Sequence, residues 1–290
     1  MVIARPSSIN NADRVVLSGL ALGAIAIWGL VVQQWDPVLG PQADGGVVVC
    51  LPLFVWLGGP WRFSDRPIAW GRLALAAALC VAGLTLKNVL LGTVGWNLAL
   101  WAWLSSRLTD ESQQRARAAF LLPLLAFPWL SLDGHVLCRP IRVVDAWGME
   151  HLFDILGISA TRLDTVVSAP GISFKVVDGC AGLGTLHSMF IAGAVMALFQ
   201  KQPLTRPAAL FKVAALAFLA NSIRIICIGA LGLAFGAAVA EGPMHDWTGW
   251  ILVLVFFHLA FPALPRPLVV ERYRPEQDLA GRFQKMRPSN

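Results

Sequence analysis

The chain has 290 residues, 57% hydrophobic and 14% charged, with a mean hydropathy of +0.65 and a formal net charge of +6. A soluble domain carries about a quarter charged residues, so this composition lacks the surface a water-soluble fold needs. Nucleic acid is not the expected partner of the positive charge, because the basic residues sit at the ends of apolar blocks, as the positive-inside bias of membrane proteins requires.

Eight apolar blocks read as membrane-crossing helices, at about 15–32, 47–60, 73–87, 89–104, 118–131, 181–199, 208–238 and 247–263. Inside a bilayer, backbone groups have to be satisfied within each segment, which selects helices. The first block, Val15 to Val32, has no small-residue cleavage pattern and further apolar blocks follow it, so it reads as a retained span. The second, third and fifth are short for a full crossing and are expected to extend into their flanks. The tight Lys87-Asn88 junction makes a hairpin of the third and fourth. No internal repeat and no separately folding soluble domain is visible. The fold expected is an all-α polytopic membrane protein, one integral domain over 1–290, with an external loop at 131–179 and a basic cytoplasmic tail at 264–290.

Charge sets the orientation. With a cytoplasmic N-terminus, the inside segments carry sixteen Lys and Arg and the outside segments five. That excess places both termini in the cytoplasm. The assignment turns on Ala208 to Ala238, which is long enough for one span or two thin ones. Two would separate His245 from Cys180, whereas one brings them to the same face. A single helix of that length is about 46 Å long and has to tilt, bend or project from the hydrocarbon.

The external loop is expected to hold an amphipathic surface helix near Ile141 to Ile158, with Val143, Val144, Trp147, Leu152, Ile155 and Leu156 mostly on one face. After it, Asp164 to Ser168, Pro170-Gly171 and Ile172 to Val177 read as a β-hairpin that delivers the chain to Asp178-Gly179-Cys180.

Five cysteines, at 50, 80, 138, 180 and 227, show no CxxC or CxxH spacing, so neither a structural metal nor a cofactor is expected. Cys50 and Cys80 lie in apolar runs, where a thiol behaves as a small hydrophobe. A Cys138–Cys180 disulfide would silence both thiols and is not expected. Cys180 opens a helix in Asp178-Gly-Cys-Ala-Gly-Leu-Gly-Thr-Leu. Helix N–H groups there would favour a thiolate or hold an oxyanion. Gly182 and its small neighbours would admit a substrate backbone, or would simply serve helix packing. Arg224, in Asn221-Ser-Ile-Arg-Ile, is flanked by apolar residues and should face the bundle interior with a partner, as a functional cation or a structural ion pair. Asn221, on the same face, would orient its guanidinium. His245, in His-Asp-Trp-Thr-Gly-Trp, suits a general acid or base, or an ordinary interfacial histidine. His187 lies too deep and His258 too far towards the cytoplasm to be preferred.

These three segments, in this order, resemble those of the exosortase/archaeosortase family of membrane transpeptidases. Asp178-Gly-Cys-Ala-Gly-Leu-Gly-Thr-Leu is similar to the family's cysteine segment, Asn221-Ser-Ile-Arg-Ile to its Asn-x-x-Arg-Ile segment, and His245-Asp-Trp-Thr-Gly to its His-x-x-x-Gly segment. The resemblance covers Ile141 to Pro262 well and the earlier spans only in general character. It implies a catalytic core at 177–263. It also implies cleavage of exported proteins that carry a C-terminal motif of PEP-CTERM type, a transmembrane helix and a basic end. The reaction would pass through a Cys180 acyl-enzyme, with His245 as acid/base and Arg224 stabilising the oxyanion or thiolate. Gly184 departs from the family's usual arginine, and Asp178 from its usual Glu. The alternative from another class is a transporter or lipid-handling permease in which Arg224 binds an anionic substrate.

Overall fold

The computed structural model describes residues 10–34, 45–64, 66–199, 207–236 and 243–260. In chain order the helices are α1 (Asn11–Gln34), α2 (Gly45–Leu57), α3 (Trp70–Thr85), α4 (Val89–Arg107), α5 (Asp110–Ala119), α6 (Leu121–Leu124), α7 (Trp129–Asp133), α8 (His135–Ile155), α9 (Leu183–Phe199), α10 (Pro207–Phe235) and α11 (Pro243–Ala260). Between α8 and α9 run three strands, β1 (Thr161–Leu163), β2 (Val166–Ala169) and β3 (Ile172–Lys175), and then a 3-10 turn, Asp178–Ala181.

α1, α4 and α10 are long and apolar enough to cross a membrane, and α2, α3, α9 and α11 contain shorter apolar stretches. Large apolar side chains such as Leu22, Leu75 and Phe211 stand on the outside, each at least 67% exposed. In water such a surface would drive aggregation; against lipid it is the expected one.

α3 and α4 form the expected hairpin. Lys87 turns the corner at φ 54°, and Asn88 caps α4 by accepting the Leu91 N–H at 2.7 Å. The carboxylate of Asp133 at the end of α7 accepts two more free N–H groups there, from Val89 at 3.3 Å and Leu90 at 2.5 Å. The helices touch backbone to backbone, since a methyl group on Gly83 would fall 2.1 Å from the Gly92 nitrogen. α1 lies along α4, held by Trp96 Nε1 donating to the Leu20 carbonyl at 2.7 Å. At the other end the buried carboxylate of Asp13 accepts from Arg107 at 2.5 Å and from Trp103 Nε1 at 3.1 Å.

The block at 118–131, expected as a span, is not one helix. It comprises the end of α5, the single turn α6 and the start of α7. Pro123 removes a donor, and Pro128 pushes Phe127 out of helical geometry, so an apolar run of the right composition is broken twice. Leu122, Leu125, Ala126 and Phe127 nevertheless sit in the main core, at no more than 2% exposure. Broken backbone at such a place needs partners from neighbouring helices. His187 of α9 supplies one, its Nε2 lying 2.9 Å from the Leu125 carbonyl, and Trp129 Nε1 donates to the Leu124 carbonyl at 2.9 Å.

In the loop, α8 begins six residues before the expected surface helix and runs through Pro140. The sheet has three antiparallel strands in the order β1-β2-β3, not two; Gly171, at φ +81°, makes the turn between β2 and β3. α8 exposes Val144, Trp147 and Ile155 and buries Ala146, Met149 and Phe153 against Val167, Val176 and Ile225. α8, the sheet and α10 thus share one small core. Of the block at 208–238, the described part is one continuous helix, α10, through Phe235, the arrangement that charge counting selects. The basic tail expected at 264–290 lies outside the described residues.

Candidate active site around Cys180

The chain enters the site from β3, and Cys180 lies in the 3-10 turn, ahead of α9 and not in its first turn. The Cys180 N–H donates to the Val177 carbonyl at 2.9 Å and is therefore not a free oxyanion donor. Gly182 then takes φ +75°, a left-handed conformation that costs any residue with a Cβ about 1 kcal/mol or more, and α9 follows.

Gly182 is small for a second reason. A methyl group there would come within 2.5 Å of the Asn221 side chain. Asn221, 1% exposed, crosses this space so that Nδ2 donates to the Cys180 carbonyl at 2.8 Å. The sequence left Gly182 either to admit substrate or to serve helix packing, and gave Asn221 the orienting of Arg224. In the structure the two residues fit each other, and Asn221 grips the turn.

The next residue on α10, Ser222, donates to Asp145 Oδ1 of α8 at 2.5 Å. One turn beyond Asn221, Arg224 packs over Gly249 of α11, where a methyl group would stand 3.1 Å from its Nε. Gly249 is one turn after His245 on the same helix. The backbone of His245 belongs to the first turn of α11, but the side chains of His245 and Asp178 lie outside the described residues.

Burial pushes the Cys180 thiol above its ordinary range. Arg224 is the strongest opposing influence, Arg142 pulls in the same direction, and Asp145 adds to the upward push. This corrects the expectation of a thiolate favoured by a helix N-terminus. Asp145 was missed from sequence. Its signal was a charge at the i position of a buried i, i+4, i+8 row with Met149 and Phe153. Cys138 is buried, its thiol directed at the Gly134 carbonyl, and no disulfide joins it to Cys180. An open groove of about 400 Å³ runs beside α9, walled by residues such as Leu53, Ile191, Val195 and Phe257.

A helical membrane protein whose cysteine turn is gripped by an Asn-x-x-Arg helix, with a third helix carrying His-x-x-x-Gly against that arginine, is the class that these elements define. The family model for transmembrane exosortases matches residues 17–262. The chain belongs to the transmembrane exosortase family. Comparison with curated proteins and with solved structures gave no match.

Proposed function

We propose that the protein is a cysteine transpeptidase or endopeptidase of the cytoplasmic membrane that cleaves the C-terminal sorting tails of exported proteins. The single observation that carries this reading is the convergence on one turn: Asn221 holds the Cys180 carbonyl while Arg224, one turn away, favours the ionised thiol. A packing cysteine needs neither.

In the reaction, Cys180 passes its proton to His245 as its sulfur attacks the scissile carbonyl and forms the C–S bond. Arg224 stabilises the negative charge as it moves from sulfur to the tetrahedral oxygen. His245, carried by the first turn of α11, protonates the departing amine as the C–N bond breaks, leaving an acyl thioester. Water or an acceptor nucleophile then releases the acyl group, with His245 taking the proton back. The core is 177–263, the loop at 131–179 faces the exterior with the site, and both termini, including 264–290, lie in the cytoplasm. The substrate is recognised by its short motif, apolar helix and basic end, within membrane lipid.

The test is co-expression with an exported protein bearing such a tail. Cys180→Ala and Cys180→Ser should abolish its cleavage while the protein still inserts in the membrane. Unchanged cleavage in either variant would overturn the reading.

A further inference from the structure

Asp145 is a buried charge that the proposed reaction leaves unused. Its residue is 1% exposed, Oδ1 accepts from Ser222, and Oδ2 has no hydrogen-bond partner among the described residues. An unpaired buried carboxylate oxygen destabilises a fold, so packing alone gives no reason for it. Arg142 lies three residues earlier on the same face of α8, and its Nη1 donates to the Val176 carbonyl at 3.5 Å, on the segment that leads into the cysteine turn. Asn221 and Ser222 are consecutive, so the same part of α10 that grips Cys180 also grips Asp145. α8 therefore brings a cation against the segment that enters the cysteine turn, and an anion against the residue next to the one that grips it, from outside all three family segments.

We propose that Asp145 and Arg142 are positioning residues that set, with opposite sign, how readily Cys180 gives up its proton. The carboxylate disfavours a second negative charge on sulfur, and the guanidinium favours it. Burial pushes the Asp145 carboxyl up to about 6, with the Ser222 hydrogen bond opposing. Well below that pH Arg142 and Arg224 act on the thiol without opposition from Asp145, and well above it Asp145 counters them. Other charges near this core are engaged elsewhere: Glu150 pairs with Arg162 at 3.0 Å, and the His187 ring meets the Leu125 carbonyl.

The test is the pH dependence of iodoacetamide alkylation in the purified full-length protein, read at the Cys180 peptide by mass spectrometry. Asp145→Asn keeps an acceptor for Ser222 and should move the alkylation midpoint to lower pH by about half a unit or more. Arg142→Gln should move it upward by a similar amount, and Asp145→Glu should return it towards the parent value. Midpoints that stay put, or that move in the same direction in both variants, would overturn the proposal. If Asp145→Asn does not fold, an unmoved or lowered midpoint in Arg142→Gln is sufficient to do so. The inference deepens the proposed function, but the two fail separately: unmoved midpoints overturn only this one, and cleavage that survives Cys180→Ala overturns only the other.

Discussion

Asn221 holds Cys180 through its backbone carbonyl, and substitution separates that hold from the influence proposed for its charged neighbours. Gly182→Ala combines a left-handed φ with a collision against Asn221. It should destabilise the protein by about 1–3 kcal/mol and depress tail cleavage, as seen by thermal melting and a cleavage assay on the same preparation. Gly249→Ala should leave the melting temperature nearly unchanged. It displaces Arg224 by a few tenths of an ångström, however, and should lower the cleavage rate by roughly tenfold. Asp145 gives a stability effect with a definite sign. Its folded proton affinity is raised, so its contribution to stability is complete below the unfolded carboxyl range and is lost as pH rises through about 6. Asp145→Asn should therefore be more stable than the parent above pH 7, by roughly 1–2 kcal/mol, and should lose that advantage near pH 4.

At the scale of elements, the site depends on one unbroken helix and one broken one. α10 spans Pro207–Phe235 without interruption, and from its middle it presents Asn221, Ser222 and Arg224. The segment α6–α7 is broken at its prolines; the Leu124 carbonyl is taken by Trp129 of α7, and the Leu125 carbonyl meets α9. His187 satisfies one of them just below the cysteine turn. His187→Leu should leave the buried Leu125 carbonyl with only the weak Cys50 thiol donor at 3.7 Å, which destabilises by about 1 kcal/mol in a detergent melting experiment. His187→Gln, which restores a donor, should recover part of that loss. Hydropathy made α10 legible, and charge bias chose one helix over two. The same measure misread 118–131, because it adds up apolarity and is blind to where Pro123 and Pro128 withhold hydrogen bonds.

Across the whole molecule, the signals that sequence carried were local ones. Arg224 stood out as a charge in an apolar run, and Cys180 as a thiol in a run of small residues. The partners of Asn221 and Ser222 lie 41 and 77 residues away, and no local pattern names them. Arg107, at the end of α4, is 7% exposed and paired with Asp13 of α1. That pair joins the first helix to the fourth, at the end of α1 from which the chain enters. Asp13→Ala or Arg107→Ala strands a buried charge and should destabilise by about 3–5 kcal/mol, whereas the apolar double variant Asp13→Leu/Arg107→Met should lose much less. Melting curves of the two singles and the double provide the comparison.

The measurement that bears most directly on the whole account is the covalent state of Cys180 during turnover. Protein purified from cells that co-express an exported protein with a sorting tail, then digested and mapped by mass spectrometry, should show a hydroxylamine-labile acyl adduct on the Cys180 peptide. Cys180→Ala should show neither adduct nor cleavage. Cleavage that persists in Cys180→Ala, or an acyl adduct on another residue, would contradict the account.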